Sequence, residues 1–384
     1  MSGELSKAAR DKLERLGDAV GTVESLLFRL AQQGLTRLSG ASVTELRALV
    51  QTAHNARMVT IERELEALAT QVQRYLDRDP LFRADRYLSS LNRLWLLNHQ
   101  ARGAHAKAVA EQLDVRELTE VLGEARRTYT RVEGPLELQA MGARGWLTDS
   151  DFVGVTVWMR LVSEGTPTEI LQVSNARPAA YFGTDPRRLL RMGLSEYVDV
   201  TIQSLSHGAF TFHDAKRSAD GRLSVHSGLE VVPSAYRGAQ VYADCTADRW
   251  DGLAELLRDA SVHPVRGGGG RLVLVEPVAM TDVVLDEKRQ EARCALLDAR
   301  ESRLEVRVPF RPENNLLIDN LETLARRSDL RPAAYFGRAS ASGGHLVFEP
   351  MTAVYGVPVG LRTRPPLTVN EVHLTVEDLE RVKR

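Results

Sequence analysis

Three histidines, His207, His213 and His226, fall within twenty residues of one another, and Asp214 directly follows His213. A divalent metal needs such groups to converge, with helix or tight-turn spacing to aim them. His207 and His213 would share a face only on an unbroken strand, and Gly208 interrupts the run. Surface or turn histidines are therefore expected, and no metal site. The run Arg-Gly-Gly-Gly-Gly-Arg from Arg266 to Arg271 offers bare backbone amides of the kind that hold phosphate. A phosphate loop also needs Lys-Ser/Thr straight after its glycines and a helix to follow. Here Arg271 leads into Leu-Val-Leu-Val, so a flexible hairpin or linker is expected. Cys245 and Cys294 stand alone in strand-like runs and are read as buried structural thiols. Glu276, Asp282, Asp298 and Glu349 sit at the ends of strand-like runs, but no spacing rule pairs them. The chain contains no G-x-S-x-G elbow, no H-E-x-x-H and no G-x-G-x-x-G turn. These residues point to a protein without catalysis and without a cofactor, an enzyme of unrecognised type being the third reading.

The other chemistry available is stacking beside positive charge. Arg-Pro-Ala-Ala-Tyr-Phe-Gly runs from Arg177 to Gly183 and again from Arg331 to Gly337. Such an exact recurrence argues for a duplicated module or for one shared local job. The string has no nucleophile, carboxylate or metal ligand. Its aromatics could stack on bases while arginines meet phosphates, the combination that holds single strands. The candidate ligand-facing residues are Arg177, Tyr181, Phe182, Arg187, Arg188 and Arg191 in the first region and Arg331, Tyr335, Phe336 and Arg338 in the second. The competing reading puts Pro, Ala and the aromatics in a strand, one ring in the core and the glycine at a turn.

The elements that must position these groups change character along the chain. Up to about residue 130, apolar residues recur three and four apart: Leu13, Leu16, Val20, Val23, Leu27 and Leu30, then Met58, Ile61, Leu65, Leu68, Val72 and Tyr75. Ser42 and Glu45 form a capping-box pattern that starts the second helix, and Pro80 ends it. A third helix carries Leu88, Leu91 and Trp95 on one face, and a shorter one is expected over Val115 to Thr128. The seams predict an antiparallel hairpin or bundle, with dimerisation through a coiled coil as the alternative. After Gly134-Pro135 the period shortens to two, in runs such as Gly154–Val162, Thr168–Val173, Tyr197–Leu205 and Gly208–Asp214. The run Ala239 to Cys245 reads as a strand, Arg249 to Ala260 as a helix and Asn315 to Arg327 as another.

Three strands, a helix and two more strands is the order of the five-stranded Greek-key barrel called the OB fold. The fold class expected is α+β and multidomain: a helical region, then two related OB-like β-barrel modules. The boundaries are 1–133 for the helical domain and 134–238 for the first barrel. A connector follows at 239–270, then the second barrel at 271–360 and a tail at 361–384.

At 384 residues, 43% hydrophobic and 26% charged, the composition is that of a globular chain of several domains. The net charge of -1 removes the usual argument for a nucleic-acid partner, a strongly basic domain. No apolar run approaches the roughly 18–20 residues that span a bilayer. The start of the chain lacks the apolar centre of a secretory signal, so a cytoplasmic protein is expected. The basic residues are nearly all arginine, as codon bias in a GC-rich bacterial genome would produce. Phe82 to Gly103, centred on Leu91-Asn92-Arg93-Leu94-Trp95-Leu96-Leu97, resembles a segment of bacterial proteins that accompany SWIM zinc-finger proteins. Gly142 to Trp146 and Ala176 to Pro178 are similar too. The resemblance implies an accessory role beside such a protein. None of its zinc chemistry carries over, because this chain lacks the Cys and His spacing. The expectation is a non-catalytic binding or scaffold protein with a protein partner, a SWIM zinc-finger protein among the candidates. The alternatives are single-stranded nucleic-acid binding and, through the helices, a homo-oligomer.

Overall fold

The seam residues Leu16, Val20, Val23, Leu27 and Leu30 are all buried, as a helix of that period requires. They lie on α1 (Lys7–Gln33), which is followed by α2 (Gly40–Asn55), α3 (Val59–Leu76) and α4 (Ala84–Val109). The computed structural model describes residues 7–79, 82–110, 122–123, 128–148, 152–162, 169–237, 239–259, 270–342, 344–355 and 367–369. The chain divides into two compact units, Met1–Arg127 with Val262–Gly269, and Thr128–Ser261 with Gly270–Arg384. No helix among the described residues is long and apolar enough to cross a membrane.

In the helical unit the core joins α1, α2, α3 and the inner face of α4. Each fully buried Leu or Ile contributes about 1.5–3 kcal/mol relative to exposure. The buried Asn98 amide donates to the Val20 carbonyl at 3.1 Å, which fixes α4 on α1. Three expectations need correcting. The expected second helix is two helices, because Arg57 takes a positive φ of 58° and turns the chain between them. Its start is capped by Ser39 rather than Ser42, whose hydroxyl instead accepts from the Ser39 amide at 3.3 Å. On α4 it is Leu94, Leu97 and Ala101 that enter the core, whereas Leu88 and Trp95 are exposed. The expected helix from Val115 falls mostly outside the described residues.

The second unit is built on two main sheets, with two short two-stranded ones beside them among the described residues. The first contains β1 (Leu136–Leu147), β2 (Phe152–Leu161), β3 (Ile170–Pro178), β4 (Ala209–His213) and β5 (Glu230–Pro233), in the spatial order β3-β2-β1-β4-β5 and antiparallel throughout. Three short helices follow β3: α5 (Ala179–Phe182), α6 (Arg187–Leu190) and α7 (Ile202–Leu205). The expected strand from Tyr197 therefore stops at Thr201, where the Thr201 hydroxyl accepts from the Ser204 amide and caps α7.

The second sheet has nine strands. They are β6 (Thr246–Ala247), β7 (Gly270–Val275), β8 (Ala279–Met280), β9 (Val284–Asp286), β10 (Glu291–Leu297), β11 (Arg303–Pro309), β12 (Ala334–Ser342), β13 (His345–Tyr355) and β14 (Leu367–Val369). The spatial order is β6-β7-β12-β13-β11-β10-β8, with β9 also on β10 and β14 on β13. Helix α8 (Trp250–Asp259) precedes β7, and α9 (Asn315–Arg326) joins β11 to β12. The segment Ala239–Cys245, expected as a strand, is a 3-10 helix. Its Tyr242 hydroxyl donates to the Ala140 carbonyl and so spends itself on β1.

The expected closed barrels are not formed among the described residues; both sheets are open. In the first, the side of β3 that would meet a fifth strand is taken by a turn. Gln172 of β3 exchanges backbone bonds with Gly221 and Leu223 instead. In the second, the chain after β7 runs to the far side of β10 and forms β8 and β9 there, so β7 and β10 stay at opposite ends. The two orders are nonetheless the same ring opened at different joins. Counting five main strands in each, the first runs third-second-first-fourth-fifth, and the second runs second-third-fifth-fourth-first.

Candidate docking face

Along β2, Val153, Val155, Val157 and Met159 enter the core of the first sheet. The alternate residues Phe152, Gly154, Thr156, Trp158 and Arg160 must then face outward. Register sets their neighbours: Trp146 of β1 and Ala176 of β3 flank Gly154, while Arg144 and Ser174 flank Thr156. Trp146 lies directly over Gly154, where any Cβ would come within 2.1 Å of the indole ring. Only glycine lets the ring lie flat on the sheet. The indole Nε1 donates to Thr156 Oγ1 at 3.0 Å, and that oxygen is 2.8 Å from Ser174 Oγ. Trp146 is thus a fixed, half-buried platform.

Two further aromatics are exposed. Phe152, at the start of β2 and opposite Pro178, is 42% exposed, and Tyr181 on α5 is 84% exposed. Arg144 bounds the platform on the other side, its Nη1 3.1 Å from Glu349 Oε2.

The remainder of this outer face is covered. Trp158 packs against Phe336 with ring centroids 6.0 Å apart. Arg160 is 2% exposed and ion-pairs with Asp244. Beside it, burial pushes the Cys245 thiol up to about 11 and the Tyr236 phenol up to about 12. Burial raises the Tyr242 phenol further still. These groups stay neutral at physiological pH and make poor nucleophiles or bases.

The repeated string has two fates. In the first copy Arg177 and Pro178 end β3, Ala179–Phe182 forms the single turn α5, and Gly183 closes it at a φ of 75°. Tyr181 points to solvent while Phe182 packs on the core. Arg187 is paired with Asp185 at 2.7 Å, Arg188 donates to the Phe182 carbonyl at 3.2 Å, and Arg191 is exposed after α6. In the second copy Ala334, Tyr335, Phe336 and Gly337 open β12. Tyr335 is 1% exposed with its hydroxyl toward Met280, and Phe336 is fully buried. Arg331 donates to the Val278 carbonyl at 2.9 Å, and Arg338, half-buried, stands opposite Glu349. The first set of candidates is therefore spread from the end of β3 through α5 to Arg191 after α6, with Phe182 turned to the core, whereas the aromatics of the second lie inside packed clusters.

Other candidates disperse. His207 accepts or donates within the turn at Gln203, and His226 bonds the Asp214 carbonyl and the Gly228 amide. Among the described residues no three His, Cys, Asp or Glu side chains gather as a metal site would. Four residues of the Gly-rich run, 266–269, lie outside the described residues. Asp298 caps α8 and Glu349 holds Arg144, so the strand-end carboxylates do not converge. Sequence reasoning missed Trp146 and Phe152 as surface aromatics. The available signal was Gly154, an outward glycine in an otherwise valine-rich strand. Its meaning depends on a register that sequence does not state. No protein-family model matches the chain, and no curated protein is significantly similar to it.

Proposed function

We propose that this is a non-catalytic binding protein, an accessory subunit that holds a protein partner on the outer face of β1, β2 and β3. The observation that carries this reading is the half-buried Trp146 together with the exposed Phe152 and Tyr181, beside a sheet face that is otherwise covered. Surface aromatics of this kind anchor protein interfaces. An OB-like ancestry for the two modules supports it further: each has three main strands, a helical segment and two more strands, in one shared cyclic order.

Single-stranded nucleic acid is the second reading, favoured by Arg177, Arg188 and Arg191, which lie close to Tyr181 in sequence. It ranks lower because Arg187 and Arg144 are already neutralised by Asp185 and Glu349. Few cations remain for phosphates on a chain of net charge -1.

The test is tagged purification from the native cell with the wild type and the Trp146→Ala and Tyr181→Ala variants. A protein partner, for which a SWIM zinc-finger protein is the first to examine, is retained by the wild type and lost from both variants. In parallel, labelled single-stranded DNA and RNA are titrated at increasing salt. Binding at low salt that falls steeply, and that needs Trp146, would replace the first reading with the second.

A further inference from the structure

Ala292, Cys294 and Leu296 of β10 enter the core of the second sheet, as do Leu304, Val306 and Val308 of β11. Alternation turns Arg293 and Ala295 of β10 and Arg303, Glu305 and Arg307 of β11 to the opposite face. Register sets Ala295 against Glu305, with Arg293 against Arg307 on one side and Leu297 against Arg303 on the other. Ala295 brings only a methyl among these longer side chains, so the face sinks there. On the far side of β10, Thr281 Oγ1 accepts from the Ala295 amide at 2.9 Å, which holds the segment carrying Asp282 beside the depression. A cavity of about 410 Å³ results, lined by Asp282, Val284, Arg293, Ala295, Arg303 and Glu305 among others.

The charges around this cavity are of both signs. Arg307 bonds Glu305 at 2.6 Å and, with Arg293 and His345 nearby, holds its carboxyl below the ordinary range, so Glu305 is an anion at neutral pH. Asp282, across the Ala295 floor from Glu305, forms no ion pair among the described residues, and neither does Arg303. His345, which also lines the cavity, sits two residues before Val347, the parallel partner of Glu305, and so alongside Arg303. Arg293 adds a further donor: its Nη2 is buried and donates to nothing among the described residues. Such a donor takes an oxygen from water or from a ligand.

Two carboxylates thus flank the floor, and two bases stand at one end. Glu305 and Arg303 are two residues apart on one strand, about 7 Å, and point to the same face. An anion would meet Asp282 and Glu305, and a cation would meet Arg303. A ligand with an ammonium and a carboxylate on one carbon answers both. Val284, Leu346 and the Ala295 methyl make the remaining wall apolar. Cavities of a few hundred Å³, mostly apolar with a few convergent polar groups, are the usual form of small-molecule sites.

We propose that this cavity binds a free α-amino acid with an apolar side chain, its ammonium between Asp282 and Glu305 and its carboxylate on Arg303 and His345. The site lies on the second sheet and uses none of the residues of the docking face.

The probe is L-leucine, titrated into the full chain by calorimetry beside N-acetyl-L-leucine, which lacks the ammonium, and L-leucinamide, which lacks the carboxylate. L-leucine binds saturably, and each blocked compound binds at least about tenfold more weakly, the worth of one charge-assisted hydrogen bond. Arg303→Gln narrows the gap between L-leucine and L-leucinamide, and Asp282→Asn narrows the gap between L-leucine and its N-acetyl form. Ala295→Leu fills the floor and abolishes binding, while Trp146→Ala leaves it unchanged. Asp282 and Arg303 are exposed, and circular dichroism confirms that each variant is folded. No saturation by L-leucine below about 10 mM, equal binding of the three compounds, gaps that neither charge variant narrows, or binding that survives Ala295→Leu or is lost with Trp146→Ala would overturn the proposal.

Discussion

Tyr181 and Tyr335 occupy the same place in an identical heptapeptide, yet one ring is in water and the other in a core. What differs is the context beyond the string. In the first copy the chain has just finished β3 and must turn away, so Pro178 ends the strand and Gly183 supplies the positive φ that ends the turn. In the second the chain is entering β12, and Gly337 sits where a Cβ would come within 2.2 Å of the Glu349 carbonyl and 2.5 Å of the Phe348 ring. Replacement by alanine should separate the two copies. Tyr335→Ala removes a buried ring and is expected to cost about 3–5 kcal/mol, whereas Tyr181→Ala stays within about 0.5 kcal/mol. Urea midpoints read by circular dichroism give both numbers. The buried thiols make a second prediction at this scale. Neither Cys245 nor Cys294 reacts with an aromatic disulfide reagent at neutral pH in the native chain, and both react once it is unfolded. The burial of Cys294 was legible in sequence from its strand-like surroundings, whereas Cys245 is buried at the end of a 3-10 helix and not in the strand expected for it. The fates of the two tyrosines were not legible, because they depend on where each string meets its sheet.

Among the elements, α8 shows how a carboxylate that looked functional proves to be structural. Asp298, almost fully buried at the end of β10, accepts from the Trp250 amide at 3.2 Å and from the Arg300 and Ser302 amides at 2.9 Å each. It fastens the first turn of α8 to the sheet, and the Trp250 indole adds bonds to the Leu296 and Ser302 carbonyls. Burial alone would raise this carboxyl, but the three backbone donors hold it below its ordinary value. A depressed native pKa contributes stability above the unfolded value of about 3.9, and that contribution is lost as pH falls through the native value. Asp298→Asn should therefore cost about 1–3 kcal/mol at pH 7. Its deficit against the wild type should shrink as the pH falls below about 4, and urea midpoints at neutral and acid pH check this. A deficit that is constant with pH would mean that the carboxylate charge does not contribute. The periodicities located α1, α8, α9 and most main strands within a few residues. They missed the break at Arg57 and the 3-10 helix over Ala239–Cys245, where one backbone angle and one tyrosine hydroxyl override an apolar pattern.

Across the β unit as a whole, two open sheets of related strand order share a boundary cluster: Met141, Trp158, Tyr242, Cys245, Leu274, Ala334, Phe336 and Met351. The order of strands, helix and strands was legible in sequence, since it follows from local periodicity. The opening of both rings was not, since it depends on pairings between residues far apart in the chain. Where the two sheets meet, Gly142 of β1 takes a φ of 154°, and a Cβ there would lie 2.2 Å from Thr352 Oγ1 and 2.9 Å from the Phe336 ring. The next amide, Ala143, donates to that same Thr352 hydroxyl at 3.2 Å. A single methyl at Gly142 therefore pushes β1 off β13, and overpacking of this kind costs about 1–3 kcal/mol before the backbone strain is added. The four tryptophans make the effect separable by position. With fluorinated tryptophan, Trp146 and Trp158 report the first sheet and Trp250 reports the core of the second in one NMR sample. If the shared cluster couples the sheets, the three native resonances disappear over one range of urea, and Gly142→Ala moves all three to lower urea together. Separate midpoints, or a shift confined to Trp146 and Trp158, would mean that each sheet folds on its own and that the boundary cluster is contact without cooperativity.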